Sequence, residues 1–318
     1  MKKKLCLLLC LCLLLLAGCG QLGSTIRFGA ADVGGMYYPF ASAFTGLVAK
    51  DNADYQFEVK TTAGSAANLR LLSGGYIELG IAQNDFIDDA YSGTGIFKGK
   101  PYQGYKAIAS LYPEACQIVV RADSDIETLN DLQGKTVSIG AEESGTENNA
   151  KQILKMSGLT SELVTMVQLD YTEAADKLAS GEIDAFFCTA GVTTSVIEEL
   201  ARSCGIRFLD IDDDCSSRLL KAYPFYSEYT IPAGTYTGQE SDVQTLAVQS
   251  VLLASDKLST ETVNELTAAL YDHTSDLQYA TSLNLKLDAS SATKGITIPF
   301  HPGAAAYYEE QGITVPTE

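Results

Sequence analysis

The sequence predicts an α/β fold of two lobes joined by extended strands, with a cleft between the lobes. Three observations carry this. Short apolar or alternating runs that read as strands are interleaved with helical stripes, the rhythm of parallel α/β sheets. The stretch "LSGGYIELGIAQND" returns about a hundred residues later as "LASGEIDAFFCTAG". Without gaps, Leu72 faces Leu178, Gly75 faces Gly181, Ile77 faces Ile183 and Glu78 faces Asp184, and the two strands stop at Gln83 and Thr189. Between the copies lies "YKAIASLYPEACQIVVRADS", long, apolar and extended.

The first residues stand outside this pattern. Lys2, Lys3 and Lys4 precede an apolar core, Leu5 to Leu16, too short to span a bilayer as a mature helix. Leu16-Ala17-Gly18-Cys19 follows and resembles the lipobox of bacterial lipoproteins. That resemblance implies a signal peptide over 1–18, lipid on Cys19 and a tether over 19–24. Two or more acyl chains make a stable anchor, so an extracytoplasmic protein lipid-anchored to the cell membrane is expected.

"TIRFG" then reads as a strand, and "GAADVGGMYYPF" as a Gly-rich turn into a helix with Pro39 in its first turn. Ala43, Leu47 and Val48 continue that helix. "YQFEVKTT" alternates as a strand, "AGSAANLRLLSGG" gives a turn and helix with Ser65 as N-cap, and "IELGIAQ" gives a strand. After the long extended stretch the pattern restarts. "IETLNDLQGKTVSIG" is a short helix and strand, and "AEESGTENNAKQILKMSGL" a turn and helix. "LVTMVQLD", "YTEAADKLASGE" and "IDAFFCTA" are strand, helix and strand, and "VTTSVIEELARSCG" and "IRFLDID" are helix and strand. "YPFYSEYTIPAGTY" reads as irregular. "VQTLAVQSVLLASD" is a strand, "STETVNELTAALYDHTSDL" a helix, and the tail ends in another helix. The expected division is lobe I over 25–117 and 223–318 and lobe II over 118–222.

Composition excludes partners more readily than it names them. The 22 basic residues face 40 acidic ones, for a net charge of −18, and loss of Lys2 to Lys4 makes it more negative. Phosphate-rich nucleic acid and flat adsorption to anionic lipid are disfavoured. Four cysteines remain after Cys19. Cys116 and Cys188 fall in apolar strands as small core residues, and Cys204 and Cys215 could bridge in an oxidising compartment. With two histidines and no Cys-x-x-Cys, no metal is expected. Neither a G-x-S-x-G elbow nor a phosphate-binding Walker loop is present, so no enzyme activity and no cofactor are expected.

Open α/β sheets bind ligands beyond the carboxyl ends of their strands, and two facing lobes make a cleft that closes on a small molecule. Ser144, Gly145 and Thr146 open a helix after "KTVSIG", where free backbone N–H groups and the helix dipole favour an anion. Ser144-x-x-Glu147 is equally the pattern of a capping box. "VGGMYYP" and "TAGSAAN" repeat the design in the other lobe.

"GMYYPFASAF", "GSAANLRLLSGG", "LGIAQND", "SGTENNAKQIL", "IDAFFCTAG", "IPAGTY" and "HPGAAAYY" together resemble the TAXI-type solute receptors of TRAP transporters, in order along nearly all of the chain after Cys19. The resemblance implies a type II periplasmic-binding-protein fold. It implies capture of a small organic anion, such as an amino acid, a 2-oxo acid or a dicarboxylate, for an ion-gradient-driven permease. It carries ligand contacts onto Gly35, Tyr37, Tyr38, Ser65, Asn68, Gln83 and Asp85 in the first lobe. In the second lobe these fall on Ser144, Gly145, Thr146, Thr189, Ala190 and Gly191, and on Tyr226 near the return crossing. Asp85 is alternatively the N-cap of the next helix, and Arg121 could point into the hinge. Two departures are visible: "SGGYIELG" is one residue longer than the usual repeat, and Asp32 stands in the first Gly-rich turn, where it would repel an anion. A receptor for an ATP-driven importer and a surface sensor share these lobes.

Overall fold

A computed structural model describes residues 25–281, 283 and 287–318. The expected signal peptide, Cys19 anchor and tether lie outside the described residues.

The chain opens with β1 (Ile26–Gly29), α1 (Tyr37–Asp51), β2 (Phe57–Lys60), α2 (Ser65–Ser73), β3 (Leu79–Gln83) and α3 (Asn84–Ser92). The long strand β4 (Tyr105–Arg121) leads to β5 (Thr136–Ser138), α4 (Gly145–Met156), β6 (Thr165–Val167) and α5 (Tyr171–Ser180). Then come β7 (Ala185–Ala190), α6 (Ser195–Ser203), β8 (Ile206–Phe208) and α7 (Asp213–Ala222). The return is β9 (Ser227–Ile231), β10 (Val243–Ser255), α8 (Thr260–Asp272), α9 (Thr274–Thr281) and α10 (Pro302–Glu310).

The described strands form one sheet in the order β2-β1-β3-β10-β4-β7-β5-β6, with β8 on β4 and β9 on β10. Each end of the sheet is parallel, as strand–helix–strand units require: β2, β1 and β3 at one end, β7, β5 and β6 at the other. β4 and β10 run antiparallel between them. β4 pairs with β10 as far as Ala115 and with β7 from Ala115 onward. β10 pairs with β9 over Val243–Ala247 and with β3 from Ser250. These two strands are the crossing between the halves. Two apolar clusters support them, one around Phe28, Phe40, Phe44 and Leu252, the other around Ile118, Ile153, Phe187 and Leu219. Burial of each such side chain contributes about 1.5–3 kcal/mol.

The doubled motif has a structural cause. Gly75 (φ 70°), one residue past the C-cap of α2, and Gly181 (φ 78°), the C-cap of α5, both take the left-handed conformation, where a Cβ would be strained. The acids that follow do the same work. Glu78 accepts from the backbone N–H of Arg27 in β1 at 2.8 Å, and Asp184 accepts from that of Thr136 in β5 at 2.8 Å. Each acid's own N–H bonds back to the same residue's carbonyl, at 2.9 and 2.8 Å. The acid therefore sets the register of a strand against its parallel neighbour, once per half.

Several expectations change. β9 lies in the stretch expected to be irregular, and α7 was not expected. Ser65 is the first residue of α2, and Gly64 holds the N-cap position. Cys204 and Cys215 are separate thiols; Cys215 lies on the buried face of α7 within the second cluster. Cys116 and Cys188 are buried in β4 and β7.

Candidate functional site

A cavity of about 440 Å3 lies where the two halves face each other. Its walls are strand ends and helix N-termini from both. The first half contributes Asp32 and Gly35 before α1, Tyr37 in its first turn, the segment Thr61–Ser65 before and into α2, and Gln83 at the end of β3. The second half contributes Ala141, Ser144, Gly145 and Thr146 at the start of α4, Asp170 and Tyr171 at the start of α5, and Thr189 and Ala190 at the end of β7. Glu114 of β4 lines it from the crossing itself.

Ser144 is the N-cap of α4: its Oγ accepts from the Glu147 N–H at 3.1 Å, while Glu147 Oε2 accepts from the Glu143 N–H at 3.0 Å. The side chains thus cap the helix, and the adjoining backbone stays turned to the cavity with the positive end of the dipole. Gly145 permits close approach: a Cβ there would fall 2.1 Å from Gln83 Oε1 in the opposite half. The Thr146 hydroxyl bonds the Tyr171 hydroxyl and accepts from the Thr189 N–H at 3.2 Å, and Tyr171 donates to the Thr189 carbonyl at 3.0 Å. Thr146 therefore ties three elements at the cavity wall.

Glu114 was not anticipated. It is 1% exposed, accepts from the Tyr37 hydroxyl at 2.9 Å and lies beside the Gln83 side chain. Burial, reinforced by the Asp85 charge and only partly offset by the Tyr37 hydrogen bond and the nearby Gln83 amide, pushes its carboxyl up to about 8. Burial likewise raises the Asp32 carboxyl, although Asp32 also accepts from the Gly34 N–H at 2.7 Å. Tyr171 and Asp170 were also missed. For Glu114 a signal existed: a single acid inside an otherwise apolar extended run, "SLYPEACQIVV".

Of the expected site residues, Gly35, Tyr37, Ser65, Gln83, Ser144, Gly145, Thr146, Thr189 and Ala190 meet at this cavity. Five do not line it. Tyr38 packs half-buried against the first cluster. Asn68 is buried behind the wall, donating to the Gly29 and Ile81 carbonyls at 3.2 and 2.8 Å and accepting from Thr62. Asp85 bridges the halves: Asn148 and Asn149 of α4 donate to its Oδ2 at 3.2 and 3.3 Å. Nor is Asp85 the N-cap of α3, a position held by Gln83. Burial pushes it up to about 7. Tyr226 accepts from Asn149 at 2.9 Å and donates to Gln152 at 2.8 Å. Gly191 packs under the Tyr112 ring and Leu283. Arg121 lies away from the cleft, paired with Asp123 at 3.0 Å. Arg70 pairs with Glu143 at 2.6 Å across the rim, beside an Ala66 N–H donating to the Glu143 carbonyl at 3.2 Å. The two halves thus touch around the cavity, as a closed cleft does.

Among the described residues, no helix is long and apolar enough to cross a membrane, and no group of three or more His, Cys, Asp or Glu could hold a metal ion.

A model of the NMT1-like family matches residues 28–312. Among solved structures, the chain is similar to the alkanesulfonate-binding protein SsuA from Xanthomonas axonopodis pv. citri bound to MOPS. The identity is 15% over 91% of each chain, with a TM-score of 0.50. A structure described as a periplasmic transporter matches at 14% identity, covering 90% of this chain and 92% of that one, with a TM-score of 0.57. A putative L-cystine ABC transporter from Listeria monocytogenes matches at 14% identity over 81% of this chain and 94% of its own, with a TM-score of 0.51. At these identities the likeness shows the fold, an α/β periplasmic-binding-protein-like fold with a mixed sheet and flanking helices.

Proposed function

The chain belongs to the NMT1-like family, and from that premise we propose that it is the solute-binding protein of a membrane transporter. The observation that carries this is the cavity between the halves, lined by strand ends and helix N-termini from each. A solute that touches both halves binds the closed form better than the open one, and so shifts the chain toward closure. Helix N-termini take the anionic group of a small organic acid. The Tyr37 and Tyr171 rings cover its carbon. The closed form then docks on a permease. No catalytic role is assigned to any residue.

The motifs "IPAGTY" and "HPGAAAYY" support a TAXI-type receptor feeding an ion-gradient-driven TRAP permease. The similar Listeria structure is described as part of an ABC transporter, and a receptor for an ATP-driven importer fits the cavity equally. Uptake by cells carrying the transporter separates the two: a protonophore or sodium ionophore stops the first, and ATP depletion at a held gradient stops the second. Extracytoplasmic placement and lipid on Cys19 belong to the same proposal, as do the lobe limits at 118 and 223. Labelled palmitate incorporated by the wild type and lost in Cys19→Ala is the expected result for the anchor.

Solute binding is tested by calorimetry with the small molecule released from the purified chain. Gln83→Ala and Thr146→Ala should each weaken it by about 1–3 kcal/mol, the first by removing a hydrogen-bonding group from the cavity wall and the second by removing a partner of the Tyr171 hydroxyl and leaving the Thr189 N–H unpaired. Unchanged affinity in both variants contradicts the site.

A further inference from the structure

Among the described residues, three carboxyls, Asp32, Glu114 and Asp170, line the cavity, and no Lys, Arg or His does. Acids alone define no site. The second observation is Gln83, which is 2% exposed, lines the same cavity, and has an Oε1 without a hydrogen-bond partner among the described residues. Glu114 lies beside its side chain. Glu114 and Gln83 Oε1 therefore present hydrogen-bond acceptors beside the donors at the start of α4, since the Gln83 carboxamide lies against Gly145. We propose that Glu114 is the specificity-determining residue of this cavity, selecting a solute that carries a positively charged nitrogen against Glu114 and Gln83 and an anionic group at the adjoining helix N-termini. This inference rests on the solute-binding reading.

The physical reason is desolvation. A carboxylate taken out of water without a cation is costly, so burial without a cation holds Glu114 as the acid. The titratable groups that face it supply no positive charge: Tyr37 from α1, Asp85 from α3, Tyr112 and Cys116 from its own strand, Tyr171 from α5 and Cys188 from β7. Asp32 and Asp170 at the wall add none. An ammonium group supplies the missing charge. The Glu114 O–H bond then breaks, its electron pair stays on the carboxylate, and the proton leaves to solvent as the ion pair forms. A 2-oxo acid of the same skeleton brings no charge there and leaves the proton in place.

The test is calorimetry on the purified full chain at pH 7, in two buffers of different ionisation enthalpy. The probes are matched pairs that differ at the nitrogen: L-glutamate against 2-oxoglutarate, and L-leucine against 4-methyl-2-oxopentanoate. The small molecule released from the denatured chain is identified by mass in parallel. The expected result is a preference for the amine of at least about tenfold, or ~1.4 kcal/mol, release of about one proton on binding, and a basic nitrogen in any released molecule. Glu114→Gln should remove the proton release and shrink the preference, while Asp85→Asn should leave the preference intact. If Glu114→Gln does not fold, the wild-type proton count and preference decide alone. Equal or tighter binding of the oxo acid, binding without proton release, or a released solute lacking a basic nitrogen overturns the inference while solute binding stands. Binding by no probe, with no released molecule, overturns solute binding itself.

Discussion

Gly145 shows how little separates an open site from a blocked one. Its backbone lies against the Gln83 carboxamide of the opposite half, closer than any Cβ allows. Gly145→Ala should therefore displace the Gln83 carboxamide from its place at the cavity wall and weaken solute binding at least about tenfold, with an unfolding midpoint near that of the wild type. Wild-type affinity in this variant, read by calorimetry, contradicts the close approach. Ser144, Gly145 and Thr146 could be found from sequence because a capped helix start after a strand has a local signature. Glu114 could not be placed that way. Its meaning comes from Tyr37 and Gln83, which are distant along the chain. Asn68, Asp85 and Tyr226 sit in stretches matching the same family motifs, yet they brace the walls and the contact between halves. Polar residues that hold a site and polar residues that face into it look alike until their partners are known.

At the level of elements, the repeat was readable because it is made of short-range chemistry: a left-handed glycine, one spacer region, an acid and an apolar strand. What the acid does was not readable, since Arg27 and Thr136 lie on other strands. α7 escaped because its apolar stripe is thin, with Cys215 and Leu219 its buried residues. Its Asp212 cap, which accepts from the Cys215 N–H at 2.8 Å, was the available signal. β9 escaped because its exposed residues alternate poorly and its pairing with β10 is made by the partner strand. The α4 cap yields a direct expectation. Ser144→Ala should cost about 1 kcal/mol of stability, measured as a lower urea midpoint with an unchanged slope. No loss of stability would mean that the Ser144 bond to Glu147 contributes nothing in solution.

At the scale of the whole molecule, Asp85 and Glu114 are buried in or beside the contact between halves, with values raised to about 7 and about 8. Raised values mean that the folded chain binds protons that the unfolded chain has released. Their contribution to stability is present below the unfolded values and is lost as pH rises through 7 and 8. Urea unfolding should show a less stable protein at about pH 9 than at about pH 5, and Asp85→Asn and Glu114→Gln should each flatten that slope. A stability that rises between those pH values, or slopes unchanged in both variants, contradicts this burial. The two-lobed outline was readable from the alternation of strands and helices. The way β4 and β10 change neighbours midway was not, because a continuous apolar run carries no mark of its partners. The most direct measurement is a crystal structure of the purified chain with the solute it carries. The expected result is one small molecule between the halves, touching Gln83 on one side and the Gly145 backbone on the other. A solute bound on an outer face, touching one half alone, would contradict it.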